Sequence, residues 1–265
     1  MLEAWKNVRC VVIGMLHLPA LPGAPLSKLS LAEITDAMLR DADALQAGGV
    51  HGLMIENFGD VPFFKTDVPK HTVAHLTAVA AKVKARFDLP LGINCLRNDG
   101  CAALSVAHAV GAEYIRVNVL SGARVTDQGV IEGISADLLR LRKTLGAESI
   151  KVLADVDVKH SAPLGVGVAL EDEVDDVLER GLASGLVVSG AGTGKATDPA
   201  KAARVRKAAP HAPLFIGSGV TADSIGAFLP HVSGVIVGTH FKADGKVDRP
   251  VDAERVRKLL GAIGG

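Results

Sequence analysis

Eight short apolar runs, most of them followed by a helical pattern, are the feature of this sequence that most restricts its fold. The runs recur roughly every 30 residues and are almost continuously apolar, as expected for parallel strands that are buried on both faces. The strands that we predict are 10–16, 50–55, 89–94, 114–119, 150–156, 185–189, 213–216 and 234–237. This pattern predicts an α/β fold: a single (β/α)8 TIM barrel that forms one domain over residues 1–265.

An open, doubly wound parallel sheet is the alternative fold. Its phosphate-binding fingerprint would follow the first strand, whereas here that position holds His17 and the proline-containing loop 18–25. The polar loop 121–135 has a length that would suit a lid over the barrel. The helices that we predict are 31–47, 72–86, 100–110, 136–145, 170–183, 199–208, one that begins near Ala222, and 252–262.

The composition argues against several classes of function. Acidic and basic residues number 29 each, so the chain lacks the positive field that is typical of proteins that bind nucleic acid or anionic membranes. No apolar segment approaches the roughly 20 residues of a membrane span, and no secretory signal follows Met1. Cys10, Cys95 and Cys101 are odd in number and lack metal-site spacing. We therefore expect reduced thiols, a cytoplasmic location, no nucleic-acid partner, no membrane insertion and, as is common for such barrels, a homo-oligomer.

Two glycine-rich turns near the C-terminus predict a phosphate-binding site. They follow the last two predicted strands, where TIM barrels commonly hold phosphate. Thr221 is predicted to cap the helix that begins near Ala222, so free backbone amides and a helix dipole would both attract an anion. The predicted phosphate contacts in these turns are Gly217, Ser218, Gly219, Gly238 and Thr239.

The segment 190–195, GAGTGK, suggests a nucleotide-binding loop but does not match one. A Walker A loop requires glycine where Ser189 stands and serine or threonine where Ala196 stands. We interpret the segment as an amide-rich turn in which Gly192 and Thr193 complete the phosphate site. An ordinary strand-to-helix turn is the alternative.

Polar side chains stand at the carboxyl ends of most predicted strands, which is where TIM barrels place their active sites. Polar groups are costly to collect around an apolar mouth unless a ligand uses them, so we predict a small-molecule site. Glu56 and Asp155 are the predicted acid and base, because burial can move a carboxylate pKa toward neutral pH. His17 is predicted to transfer protons. The predicted substrate-binding residues are Asn57, Asn94, Arg97, Asn98, Arg116, Asn118, Lys159 and His160.

The three predicted catalytic residues also have structural alternatives. Glu56 or Asp155 could instead form a salt bridge with Arg116 or Lys159 that holds the barrel closed. His17 could simply hydrogen-bond a neighbouring strand end. These alternatives stay open at the level of the sequence.

We predict no metal and no other cofactor. A divalent metal is the less favoured alternative, since there is no HExxH motif and no aspartate-rich loop; its ligands would be Glu56, Asp155, Asp157 and His17. His71 and His75 lie four residues apart on a predicted helix, and we interpret the pair as structural. Cys95 is interpreted as a small core residue instead of a nucleophile.

Six motifs together resemble the BtpA family, which also includes SgcQ-like proteins. The motifs are GMLHLPALPGAP (14–25), ENFGDVPF (56–63), GINCLRND (92–99), IRVN (115–118), DVKHSAPLG (157–165) and VGTHFKADGKVDRPVD (237–252). The resemblance extends over essentially the whole chain. It implies a TIM barrel that is related to ribulose-phosphate-binding barrels, with the polar strand ends and glycine turns named above as its site. It also implies two functional expectations: a photosystem I biogenesis factor in cyanobacteria, and a bacterial protein encoded among genes for sugar uptake and metabolism.

We therefore expect a cytoplasmic enzyme that acts on a phosphorylated sugar or a nucleoside-derived molecule. Acid/base chemistry would make it an isomerase, epimerase, lyase or hydrolase. The alternative is a non-catalytic biogenesis or stability factor for a membrane complex such as photosystem I. A scaffold of that kind has no need for a polar mouth, and an apolar patch on the outer helices would support it.

Overall fold

The computed structural model describes residues 1–165, 168–190 and 197–264. The predicted phosphate contacts Gly192 and Thr193 therefore lie outside the described residues. The strands of the described part are β1 (Val11–His17), β2 (Gly52–Glu56), β3 (Leu91–Asn94), β4 (Tyr114–Val117), β5 (Ala123–Thr126), β6 (Gly129–Glu132), β7 (Lys151–Val156), β8 (Ser161–Pro163), β9 (Gly185–Val188), β10 (Leu214–Ile216) and β11 (Gly234–Val237).

Eight parallel strands close into a barrel, which confirms the predicted TIM fold. Their order around the barrel is β1-β11-β10-β9-β7-β4-β3-β2, so neighbours in sequence are neighbours in space. Every barrel strand lies within two residues of its predicted bounds at either end. The helices of the described part are α1 (Leu31–Gly48), α2 (Lys70–Arg86), α3 (Gly100–Val110), α4 (Ser135–Thr144), α5 (Leu170–Asp175), α6 (Pro199–Ala208) and α7 (Ala253–Gly264).

Apolar side chains fill the barrel in two layers. One cluster lies between the strands and the helices, and a second, which includes Met15, Met54 and Phe215, fills the barrel interior. Trp5, in the turn Glu3–Trp5, packs edge-on against Tyr114 at 5.3 Å and donates from Nε1 to the His51 carbonyl at 2.8 Å. The N-terminal turn thus closes the end of the barrel where the strands begin, and the opposite end stays open.

The loop 121–135 contains a β-hairpin that we did not predict. β5 pairs antiparallel with β6 and with β8, which forms a small three-stranded sheet beside the barrel mouth. The hairpin turn is fixed by the Gln128 amide, which donates to Thr126 Oγ1 at 3.1 Å. Its four-residue strands are too short to give a clear alternating pattern in the sequence. Its use as a lid stays a prediction.

The predicted helix that begins near Ala222 is wrong. The segment forms a single 3-10 turn, Ile225–Ala227, because Gly226 and Pro230 leave no room for a longer helix. The Thr221 hydroxyl accepts the Ser224 amide at 3.2 Å, as an N-cap would, but no helix of useful length follows. The predicted helix 170–183 is also shorter: α5 ends in a wide π turn, Asp176–Arg180.

A buried ion pair ties α1 to the loop that follows β11. The Lys242 ammonium contacts the Asp41 carboxylate, and both side chains are almost fully buried. The other oxygen of Asp41 accepts the Val251 amide at 2.8 Å. One carboxylate therefore connects three segments of the chain.

Asp41→Ala should lower the free energy of unfolding by about 3–5 kcal/mol, because it leaves the Lys242 charge buried without a partner. Urea denaturation measures this. Asp36→Ala, on the exposed face of the same helix, is the matched control and should change stability by less than about 0.5 kcal/mol. Equal, small effects of both substitutions would contradict the structural role of the pair.

Candidate active site

The open end of the barrel holds a cavity of about 780 Å³, including the space open to solvent. It has two unlike sides. The loops after β10 and β11 supply a side of glycines and hydroxyls, and the strands β1, β2 and β4 with the loop after β7 supply the charged groups. The predicted site residues that line it are His17, Glu56, Arg116, Lys159, Gly217, Ser218, Gly219, Gly238 and Thr239.

The glycine side of the cavity contains backbone amides that have no hydrogen-bond partner among the described residues. Among the described residues, no carbonyl accepts from the amides of Ser218, Gly219, Thr239 or His240. Gly219 has φ +73°, and a Cβ on Gly238 would lie 2.4 Å from His17 Cε1, so both positions need glycine. Since the predicted helix at Ala222 is absent, the predicted attraction for an anion would depend on these amides and not on a helix dipole.

Three buried polar atoms in residues that line this cavity have no hydrogen-bond partner. They are His17 Nδ1, Ser218 Oγ and His240 Nε2, out of five such atoms in the described part of the chain. Buried polar atoms are nearly always paired in folded proteins. Three such atoms in residues of one cavity are the pattern expected of a ligand-binding site.

Glu56 and His17 lie side by side at the ends of β2 and β1, where the strands are in register. His17 Nε2 is 3.8 Å from Glu56 Oε1, and the Asn94 amide donates to Glu56 Oε2. The Glu56 side chain is almost fully buried. Burial lowers the pKa of His17 to about 4, although the neighbouring Glu56 opposes this shift. The imidazole is therefore neutral at neutral pH, beside a carboxylate that Asn94 orients.

Arg116 is fully buried and is held by two parallel hydrogen bonds. Its Nε and Nη2 donate to the two carboxylate oxygens of Asp155 at 2.7 and 2.9 Å, and Nη2 also reaches Ser189 Oγ at 3.3 Å. Asn118 Nδ2 donates to the same carboxylate at 2.9 Å. Both oxygens of Asp155 are thus occupied. The arrangement resembles the salt-bridge alternative for Asp155 more than a free base.

A second guanidinium continues this network below the cavity. Arg97 Nη1 donates to Asn118 Oδ1 at 3.3 Å, and Nη2 donates to the Lys159 carbonyl at 2.6 Å. Arg97 therefore fixes the backbone from which the Lys159 side chain enters the cavity. Burial lowers the pKa of Arg97 from its usual high value.

Six of the eight predicted substrate-binding residues do not line the cavity, and only Arg116 and Lys159 do. Asn57 accepts the Leu96 amide at 2.7 Å, and Asn98 accepts the Val119 amide at 2.8 Å, so both amide side chains hold loops together. His160 is exposed. Asn94, Arg97, Asn118 and Asp155 lie immediately beneath the lining residues and position them.

Two residues with ionisable side chains that line the cavity were missed by sequence reasoning. His240 lies in the 3-10 turn that follows Gly238, and Arg255 lies in the first turn of α7, from which its Nε donates to the His240 carbonyl at 2.6 Å. The signal for both is position: His240 follows the second glycine turn directly, and the first turn of a TIM-barrel helix lies near the mouth.

The described residues contain no group of three or more His, Cys, Asp or Glu side chains that could hold a metal ion. Asp157, a ligand in the less favoured metal alternative, instead pairs with Arg124 at 2.7 Å and with Lys201. Cys95 is buried, and burial raises the pKa of its thiol strongly, so a thiolate is disfavoured there. No helix within the described ranges is both long and apolar enough to cross a bilayer.

Comparison with known proteins identifies the family. The model of the BtpA family matches residues 8–264. The chain belongs to the BtpA family. An uncharacterized protein of Thermococcus kodakarensis is 48% identical over 249 residues, 94% of this chain and 93% of the relative. The photosystem I biogenesis protein BtpA of Synechocystis is 41% identical over 252 residues, 95% of this chain and 87% of the relative.

Solved structures with the same fold have little sequence in common with this BtpA-family chain. Phosphoribosyl anthranilate isomerase from Thermus thermophilus gives a TM-score of 0.56 at 12% identity and covers 96% of this chain and 98% of its own. KGPDC from Streptococcus mutans gives a TM-score of 0.59 at 12% identity, and the match covers 96% of this chain and 97% of the KGPDC chain. These likenesses show the TIM-barrel fold alone.

The buried His17 predicts a loss of stability in mild acid. Below pH 6.5 the unfolded chain binds a proton at His17 that the folded chain, with a pKa of about 4, does not bind. The contribution of His17 to the free energy of unfolding is therefore fully present above pH 6.5 and is lost as the pH falls toward 4. His17→Asn should remove about 2 kcal/mol of the difference in unfolding free energy between pH 7 and pH 5. Urea denaturation at both values measures it.

His108→Asn, at an exposed position on α3, is the control and should leave the pH dependence as it is in the unmodified protein. The same drop between pH 7 and pH 5 in His17→Asn and in the unmodified protein would contradict the buried, neutral state of His17.

Proposed function

We propose that this BtpA-family protein is an enzyme that binds a phosphorylated small molecule at the barrel mouth and transfers a proton with Glu56 and His17. The observation that carries the proposal is one cavity that combines free backbone amides with a buried acid/base pair. The amides would hold a phosphate. The pair would act on the part of the molecule that extends across the mouth.

The charge of the cavity supports an anionic ligand. Its lining contains the cationic side chains of Arg116, Lys159 and Arg255, against the carboxylate of Glu56. Asp155 lies behind Arg116 and balances that guanidinium, so the remaining excess is carried by Lys159 and Arg255. A phosphate on the Ser218 and Thr239 loops would lie in this positive field and would give Ser218 Oγ a partner.

The structural neighbours are consistent with this site. Phosphoribosyl anthranilate isomerase has the same barrel fold, and its name states that it isomerises a phosphoribosyl compound. The likeness of fold supports a phosphate-binding barrel in general terms, while the particular substrate is argued from the cavity itself.

Proton transfer is assigned to Glu56 and His17. Glu56, predicted from the sequence as the acid, is the base in this proposal, because one of its oxygens is oriented by Asn94 and the other faces His17. His17 is neutral and adds no charge to the ligand-free site, and its Nε2 can donate or accept a proton. The proposal gives Asp155 a positioning role, since both of its oxygens bind Arg116 and Asn118. A proton transfer of this kind can serve an isomerase, epimerase, lyase or hydrolase step.

A biogenesis role is the second candidate, because the Synechocystis relative carries that name. A docking scaffold would present an apolar surface to its partner. The exposed large hydrophobic side chains of the described chain lie on loops and on the β5–β6 hairpin, and none lies on the outer helices. The cavity therefore supports the enzyme proposal better.

Phosphorylated ligands should raise the melting temperature. A panel of sugar phosphates and phosphoribosyl compounds is tested by thermal shift beside the same compounds without phosphate. A ligand at 100 times its Kd adds about 2.7 kcal/mol of stability, and only the phosphorylated members should do so. Ser218→Asp should abolish the shift by like-charge repulsion.

Ala227→Asp is the matched control, since it adds the same charge at an exposed position of the same segment outside the cavity. It should keep the shift. A panel without any phosphate-dependent shift would contradict the proposed function.

Glu56→Gln should abolish proton transfer while it preserves binding. Each compound that gives a thermal shift is incubated in D2O, and NMR follows the replacement of its C–H protons. The loss of a positioned base slows exchange by about 10²–10⁴-fold. The thermal shift should persist, because the amide contacts are intact. Unchanged exchange in Glu56→Gln would rule out this residue as the base.

A further inference from the structure

Lys159 has an unusual position among the cations of the cavity. Arg116 pairs with Asp155, and Arg255 donates to the His240 carbonyl. Among the described residues, no carboxylate or carbonyl pairs with the Lys159 ammonium, although its own backbone carbonyl is held by Arg97. Its charge is thus available to a ligand in the cavity.

Lys159 reaches the cavity from across the mouth from His17. β7, which precedes it, stands four places from β1 in the closed order of eight strands, so the two strands face each other across the mouth. Lys159 and Glu56 nevertheless line the same cavity, and their charges interact. A small molecule in the cavity would contact both the amine and the carboxylate.

The surroundings of Lys159 favour a reactive amine. Burial lowers its pKa, and the guanidinium groups of Arg116 and Arg97 lower it further, while Glu56 and Asp155 oppose them. A desolvated lysine beside other cations has a larger neutral fraction, and the neutral amine is the nucleophile. Lys159 thus combines a charge that attracts an anion with an amine that loses its proton more readily than an exposed lysine does.

We propose that Lys159 is a covalent catalyst that forms an imine with the carbonyl group of a phosphorylated aldose or ketose. The inference rests on the proposed function and narrows its substrate class to compounds with both a phosphate and a carbonyl. The phosphate would bind the Ser218 and Thr239 loops, and the carbonyl carbon would face Lys159 Nζ.

The step balances without an external oxidant or reductant. The Nζ lone pair attacks the carbonyl carbon, the C–N bond forms, and the carbonyl π pair moves to oxygen. Glu56 takes the proton that leaves nitrogen and returns it to that oxygen, which gives a carbinolamine. Loss of water then gives the imine, and hydrolysis regenerates the amine. The imine withdraws electrons from the adjacent C–H or C–C bond, which is the activation that an isomerase or lyase needs.

Borohydride trapping tests the inference. The protein is incubated with dihydroxyacetone phosphate or ribose 5-phosphate, reduced with sodium borohydride, and measured by intact mass and peptide mapping. We expect one adduct, at Lys159, with the mass of the sugar phosphate less one oxygen. Glycerol 3-phosphate, which has the phosphate but no carbonyl, should give none.

Lys159→Arg keeps the charge but cannot form an imine, so adduct formation should fall at least tenfold while the thermal shift with glycerol 3-phosphate is kept. Lys82→Arg, at an exposed position on α2, should trap as the unmodified protein does. A thermal shift with these phosphates and no adduct at Lys159 would overturn the imine proposal and leave the proposed function standing. The absence of both, with no shift across the wider panel, would overturn both.

Discussion

The candidate site depends on the buried pair of Arg116 and Asp155. Their two parallel hydrogen bonds join β4 to β7 at the centre of the mouth, and Ser189 and Asn118 complete the contacts. A cation in this position without its carboxylate would cost about 3–5 kcal/mol. With it, the guanidinium is fixed, lies against Gly217, and lowers the pKa of Lys159. One ion pair therefore sets both the shape and the electrostatics of the charged side of the cavity.

Much of the fold follows from the sequence, because the barrel strands are short apolar runs with polar ends. The register of β1 and β2 places His17 beside Glu56, which the two strand ends had implied. The hairpin of β5 and β6 was missed since its pairing is local and its strands are short. The helix near Ala222 was predicted from a good cap, Thr221, but the residues after the cap decide whether a helix continues.

The site was predicted in outline and not in its contacts. Strand ends indicate which residues stand at the mouth, but they do not say which of two carboxylates faces a guanidinium. Asp155 and Glu56 are alike in sequence context, yet Asp155 binds Arg116 and Glu56 does not. Asn57 and Asn98 stand in the same kind of position as Asn94, yet they bond to backbone amides. Such differences arise from side-chain packing between strands, which no local pattern encodes.

The turn that contains Trp5 limits how a ligand can reach the cavity. Because it closes the far end of the barrel, a ligand reaches Glu56 and Lys159 through the mouth, where the described residues leave the cavity open. A molecule held by the two glycine loops would occupy that route. Under the proposed function, its own body would then exclude bulk water from Glu56 and Lys159 for as long as it stays bound.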